Sequence, residues 1–297
     1  MKKKEIEKWF KSLQDDICAG LESTDGKAKF KEDSWTRAGG GGGRTRVIAD
    51  GNVFSKGGVN FSAVYGKTPE KILQALKLDE ADFFATGVSI VIHTQNPWVP
   101  IIHMNVRYFE MSNGIYWFGG GIDLTPHYIN TGDAIFFHQQ LKDVCDKYDS
   151  DYYPKFKKWA DDYFFIKHRD ETRGVGGIFF DRLSENEKHD KKSIWSFVQD
   201  VGLSFYPTYK EIVERNVEKK FGDQQEKWQK LRRGRYVEFN LVYDKGTKFG
   251  LDTGGRTESI LMSLPPQANW DYNVVPEKGS PEADTLAWLK KDIDWVK

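Results

Sequence analysis

SIVIHTQNPWVPIIHMNVR, residues 89–107, sets two β-branched apolar runs on either side of a turn that holds Asn96, Pro97 and Pro100. Each run has strand composition and the join has turn chemistry. Side chains on a strand alternate faces. Ser89, Val91 and His93 therefore share one side of the first run, and His103, Asn105 and Arg107 share one side of the second. Ile102, Met104, Val106 and Tyr108 take the other side. If the runs pair antiparallel with His93 opposite His103, then Val91 meets Asn105 and Ser89 meets Arg107. Two imidazoles, a hydroxyl, an amide and a guanidinium then gather on one patch of sheet. A merely solvated sheet face also carries polar residues, but it is more often built from Lys, Glu and Thr.

Working outward, residues 83–121 read as strands and residues 35–66 as Gly-rich strand-like chain. Residues 2–21 read as a helix, with Ile6, Trp9, Phe10, Leu13 and Ile17 at helical spacing. Thr68-Pro69-Glu70 opens a short helix, Thr68 as N-cap and Pro69 at the first position. Residues 132 to about 233 read as mostly helical, with the loop RGVGGIFFDRLS (173–184) interrupting them. Strand character returns at Arg235–Tyr243, Asp244-Lys245-Gly246 reads as a turn, and a last helix lies near 281–296. Strands, then helices, then strands again predict an α+β fold, a mixed sheet covered by helices in a single domain over 1–297, with 1–34 as an N-terminal helical segment.

Composition narrows the function. Of 297 residues, 39% are apolar, and 20 Phe, 13 Tyr and 10 Trp suit a flat-ligand site or a subunit interface. Lys plus Arg and Asp plus Glu both number 44, so no basic bias calls for nucleic acid. The opening Met-Lys-Lys-Lys runs into an amphipathic pattern rather than a signal peptide, and no run is long enough to span a membrane. Two cysteines, Cys18 and Cys145, make neither a disulfide framework nor a metal knuckle. The expectation is a soluble protein of a reducing compartment, hence cytoplasmic.

Glycine and arginine recur together. Gly39 to Gly43 precede Arg44 and Arg46, which share a face if the strand continues. Such a run lets backbone N–H groups approach an anion, and the arginines suit carboxylate or phosphate. It is neither a nucleotide P-loop nor a dinucleotide fingerprint, and a flexible surface loop is the bland alternative. Further clusters lie at 119–121, at Gly174, Gly176 and Gly177, and at Gly254-Gly255-Arg256. Arg44, Arg46, Arg107 and Arg256 suggest a small polyanionic ligand, provided that they converge. His138 and His168 fall on expected helices, where a lone histidine on an apolar face is more often a hydrogen-bonded core residue. No His-x-x-x-His or Glu-x-x-His pair supports a metal.

The runs WTRAGGGGGRTRVIADGNVFSKGGVNFSAVYG, SIVIHTQNPWVPIIHMNVRYFEM, WFGGGIDLTPHY, HRDETRGVGGIFFD and YVEFNLVYDKGTKFGLDTGGRTESILMSLPP, in order from about 35 to 270, together resemble the oxygen-dependent coproporphyrinogen III oxidases. The resemblance implies a large antiparallel sheet flanked by helices, a homodimer, and oxidative decarboxylation of the ring A and ring B propionates of coproporphyrinogen III to vinyl groups. Molecular oxygen is the oxidant, protoporphyrinogen IX the product and haem biosynthesis the setting; no organic cofactor is expected. By the same resemblance Ser89, Asn105, Val106, Arg107, Gly254, Gly255 and Arg256 match substrate-contacting positions, and His103 matches the proton donor. His93, His103, His138 and His168 match four proposed ligands of a divalent metal, and 236–270 matches the dimer-forming segment. Asp244 is a candidate acceptor for pyrrole N–H groups. Lys245 stands where many members carry Arg, which removes any planar bidentate contact there. The competing expectations are another oxygen- or metal-dependent oxidoreductase, a non-catalytic tetrapyrrole carrier and a structural dimer scaffold.

Overall fold

Alternation in the 89–107 stretch and its neighbours produces one large antiparallel sheet. In a computed structural model that describes residues 2–68, 70, 73, 74, 80–252 and 254–296, the elements run α1 (Lys3–Asp25), β1 (Lys31–Thr36), β2 (Gly41–Ala49), β3 (Phe54–Lys67), β4 (Asp82–Thr94), β5 (Ile101–Met111) and β6 (Tyr116–Thr125). They continue with α2 (Thr131–Asp146), α3 (Tyr152–Tyr163), β7 (Phe165–Ile166), β8 (Glu171–Thr172), β9 (Gly176–Leu183), α4 (Lys191–Asn216), α5 (Asp223–Val242), α6 (Lys245–Asp252), α7 (Thr257–Leu261) and α8 (Pro281–Trp288). Seven strands pair in the order β1-β2-β3-β4-β5-β6-β9, every neighbour antiparallel, while β7 and β8 form a separate small hairpin. The α+β architecture holds, and the sheet is wholly antiparallel rather than mixed.

One side of the sheet is the core. Val88, Ile90, Ile92, Ile102, Met104, Val106, Tyr108, Ile122 and Ile178 are buried there with α1 and α4. Helix α1 turns Ile6, Phe10, Leu13, Ile17 and Leu21 inward at three- and four-residue spacing. Each such fully buried aliphatic or Phe side chain contributes about 1.5–3 kcal/mol relative to exposure. Helix α3 runs along β9, sending Phe156 to this core and Ala160 to a smaller aromatic cluster on the opposite side.

Several expectations change. The N-terminal helix ends at Asp25, so 31–34 already belong to β1. The supposed loop 173–184 is mostly β9, which completes the sheet beside β6. Residues 235–242 are the end of α5, not a strand. The alternation of Val237, Phe239, Leu241 and Tyr243 competes there with a helical set, Arg232, Arg233, Tyr236, Phe239 and Asn240. The helical set is the buried one, and Leu241 is 45% exposed. The last helix stops at Trp288, and the short helix expected after Thr68 lies mostly outside the described residues. Among the described residues no helix is long and apolar enough to cross a membrane.

Candidate active site

The face of the sheet opposite the core carries the chemistry. The strands pair two residues away from the expected register: Val91 faces His103, Ser89 faces Asn105 and Gly87 faces Arg107. A slip of two preserves the alternation, so Ser89, His103, Asn105 and Arg107 do share one side, each half-buried. The row through Asn105 continues on both sides, as Asp33, Thr45, Asn60, Ser89, Asn105, Gly121 and Phe179. From β1 to β5 this floor spans four strand spacings, roughly 19 Å.

His103 sits beside Asp123 of β6, and its Nδ1 donates to Asp123 Oδ1 at 2.7 Å. Arg173, between β8 and β9, donates from Nη2 to both Asp123 oxygens at 2.8 and 2.7 Å and from Nη1 to Asn240 Oδ1 at 3.1 Å. Both side chains of the Asp123–Arg173 pair are 2% exposed. Burial alone would raise the Asp123 carboxyl, but the Arg173 charge and the His103 hydrogen bond outweigh it and hold the group below its ordinary value. With Nδ1 tied to a carboxylate, the imidazole is fixed in tautomer and orientation, leaving Nε2 as the nitrogen for a proton transfer.

Two strand positions away, Arg107 Nη1 donates to Asn105 Oδ1 at 2.6 Å and Nη2 to Asp181 Oδ1 at 2.9 Å. A third of its side chain stays exposed. The glycines opposite make room for it. A Cβ at Gly119 would lie 2.7 Å from Asp181 Oδ1 and 2.8 Å from Arg107 Nε. Val106 points the other way, fully buried in the core, so its side chain offers the site nothing.

Residues 244–252 and 254–264 lie over the same face. Asp244 caps α6: its Oδ2 accepts from Thr247 N at 2.7 Å and its Oδ1 from Tyr163 Oη at 2.8 Å. Asn60 Nδ2 donates to Ser259 O, Lys56 Nζ to Leu264 O and His93 Nε2 to Ser263 O, seating α7 and its exit on β3 and β4. Gly254 and Gly255 form the exposed turn before α7. Arg256 pairs with Asp33 and Ser259 at the β1 end of the floor.

The four arginines do not all converge. Arg44 and Arg46 pair across from Phe61 and Val59, on the core-side face, where Gln14, Asp15 and Glu32 engage them. The single-residue alternation of β2 fixes this, because Thr45 points to the site and its neighbours cannot.

Nor do the four histidines gather. His93 is buried against the edge of the Tyr236 ring and donates to Ser263 O. His138 is buried on α2, with Nδ1 on Tyr153 Oη and Nε2 on Val175 O. His168 lies in the β7–β8 turn, not on a helix, between Tyr243 and Glu238. Desolvation depresses His93 and His138 to about 3 each. Both His138 nitrogens are committed and His103 Nδ1 is held by Asp123, so this quartet does not fit one metal. Among the described residues no group of three or more His, Cys, Asp or Glu side chains is arranged for metal binding.

Sequence reasoning passed over Asp123 and Arg173. For Asp123 a signal existed: Gly119, Gly121 and Asp123 alternate along WFGGGIDLTP, which puts a lone carboxylate on the face of His103. Arg173 had none, since it reaches Asp123 only through the path of the β8–β9 turn.

Fold and site together define an α+β protein whose open antiparallel sheet presents an imidazole–carboxylate–guanidinium chain with the partly exposed Arg107 and Arg256 on the same face, a layout suited to proton transfer on an acidic small molecule. The chain belongs to the coproporphyrinogen III oxidase family, whose sequence model matches residues 5–295. It is 49% identical over 306 aligned residues to coproporphyrinogen-III oxidase 1, chloroplastic, of Arabidopsis thaliana, covering 98% of this chain and 78% of that protein. To the oxygen-dependent coproporphyrinogen-III oxidase, chloroplastic, of Glycine max it is again 49% identical, over 98% and 79% of the two chains.

Proposed function

We propose that this protein carries out the oxygen-dependent oxidative decarboxylation of the ring A and ring B propionates of coproporphyrinogen III, giving protoporphyrinogen IX in haem biosynthesis. The observation that carries the reading is the single sheet face on which Ser89, His103, Asn105 and Arg107 stand, with Asp123 and Arg173 behind His103. Membership of the family and the names of the two relatives support it.

In this reading Arg107 and Arg256, at opposite reaches of the floor, take substrate carboxylates as charge-assisted partners. Phe179 and the backbone at Gly121 receive the flat ring system. Each propionate loses CO₂ from its carboxylate carbon and a hydrogen from its β-carbon. The two electrons and that hydrogen pass to O₂, which takes up one further proton to leave as hydrogen peroxide. An electron-rich pyrrole anion reacting directly with O₂ supplies the route, and His103 Nε2 gives or relays the proton. Asp244 already accepts from Tyr163 on one oxygen and from Thr247 on the other, holding α6 at the rim, and the second lone pair on each oxygen is what it offers pyrrole N–H groups. Oxygen is the co-substrate, and no organic cofactor enters the scheme.

Homodimerisation through 236–270 belongs to the same proposal, supported by Leu241 and Val242, each 45% exposed, and Trp270, 55% exposed. We place the protein in the cytoplasm, a reading that rests on its two buried free cysteines; the two relatives are chloroplastic by name, and fractionation of the source cells decides the matter. The decisive experiment is aerobic incubation with coproporphyrinogen III, following protoporphyrinogen by fluorescence after oxidation together with O₂ uptake. Turnover that stops without oxygen is expected. Binding without turnover would instead make the protein a tetrapyrrole carrier.

A further inference from the structure

Arg173 is caged. Its guanidinium carbon lies 4.3 Å from the ring centre of Phe164, 4.7 Å from Phe239 and 4.8 Å from Tyr236. Phe164 caps the end of α3, while Tyr236 and Phe239 come from α5. All three rings are buried, at 2%, 0% and 1% exposure for Phe164, Phe239 and Tyr236. Its Nη1 meets Asn240 and its Nη2 meets Asp123, while Nε, equally buried, has no acceptor among the described residues. The charged and titratable groups around it are Asp123 of β6, Asp244 at the start of α6, Tyr163 of α3, Tyr236 of α5 and His93 of β4.

We infer that Phe164, Tyr236 and Phe239 are positioning residues for His103: their ring faces fix the Arg173 guanidinium, which fixes the Asp123 carboxylate, which fixes the imidazole. A buried ion pair is held only when its geometry is well determined, because both charges have lost their water. Ring quadrupoles attract a guanidinium and are strongest where water is absent. Three ring faces within 5 Å narrow the arrangements open to Arg173, and through its two hydrogen bonds to Asp123 they hold that carboxylate toward His103. Aromaticity at these positions therefore matters beyond volume. The inference rests on the proposed role of His103 as proton donor for its meaning in catalysis, but not for its geometry.

The test compares Tyr236→Phe and Tyr236→Met, with Phe239→Tyr and Phe239→Met as an independent second pair. Two readouts are taken. One is turnover of coproporphyrinogen. The other is the hydrogen-bonded Nδ1–H proton resonance of His103, assigned by its disappearance in His103→Gln. Tyr236→Phe keeps the resonance and stays within about 3-fold of parent activity, while the Met variants lose or broaden it and fall by about 30-fold, the factor carried by a desolvated cation–π contact. If the Met variants keep both, or if Tyr236→Phe fails as badly as Tyr236→Met, the cage does not position His103. A parent protein that shows the resonance but no turnover would count against the proposed reaction and leave the cage standing.

Discussion

Replacing Asp123 by Asn tests the centre of the site most sharply. Asn keeps the volume and removes the charge, so Arg173 is left as a cation 2% exposed with no carboxylate. Removing one member of a buried pair costs about 3–5 kcal/mol, because the remaining charge stays desolvated. Near the lower end of the size scaling, about 2 °C per kcal/mol, this lowers Tm by roughly 6–10 °C. The pH dependence has a fixed sign. The folded carboxyl lies below its unfolded value, so its stabilisation is fully present above about pH 4. That stabilisation is lost as pH falls through the depressed folded value, and the gap between parent and variant closes there. The double variant Asp123→Leu/Arg173→Met removes both charges and should recover most of the Tm. Neither variant should recover turnover, because His103 has lost the acceptor that sets its tautomer. At least a ~100-fold fall in kcat is expected, against the ~10⁴-fold known for the orienting Asp of a Ser-His-Asp triad. Calorimetry between pH 3 and 8, with aerobic turnover alongside, measures all of this. An Asp123→Asn protein melting within about 1 °C of the parent at pH 7 and retaining a third of its activity would refute the reasoning.

Other expectations follow from single contacts. Arg107→Ala should raise KM by about 10- to 150-fold, the loss of a charge-assisted contact of about 1.5–3 kcal/mol, with little change in Tm, since its internal ion pair is a third exposed; unchanged KM would remove Arg107 from the carboxylate site. Gly119→Ala should weaken substrate binding in the same direction, because its Cβ enters the space of Arg107 and Asp181, and a crystal structure showing both side chains undisturbed would contradict this. His138→Leu should lower stability by about 2–4 kcal/mol through the unpaired Tyr153 hydroxyl and Val175 carbonyl, yet leave kcat and bound metal of the folded protein unchanged. Parent stability should fall on acidification from pH 7, because His93 and His138 stay neutral to about 3 in the fold while unfolded histidine protonates near 6.5. Each contributes a loss of about 1.4 kcal/mol per pH unit below 6.5, seen as a declining Tm whose slope is shallower in His138→Leu.

What was legible in the sequence was what local periodicity controls. The β4–β5 hairpin is readable because its polar residues fall on alternate positions, and its polar face survives a register error of two. The arginines of β2 were readable only as a pair. Their face depends on which residue of Gly39–Gly43 begins the strand, and five equivalent glycines carry no phase. Segment 235–242 misled because a short amphipathic helix end can also alternate, and only the buried partners Arg173 and Asn240 show which period was used.

Arg173 shows where local reading stops. Its position follows from three tertiary events: β9 pairs with β6, the β7–β8 hairpin turns the chain back, and α5 crosses above. None leaves a mark within reading distance of residue 173. Yet those events decide the chemistry of His103, a residue that the sequence does expose. A histidine on a half-buried strand face is commonplace; one whose Nδ1 is tied to a carboxylate, itself locked by a caged guanidinium, has one nitrogen left and one direction for it to face. The residue proposed to move the proton is thus specified locally and its competence non-locally. Substitutions at Phe164, Tyr236 or Phe239, none of which forms part of the sheet floor, should therefore degrade catalysis more than equally buried substitutions among Ile90, Ile92 and Met104 on the core side of the sheet.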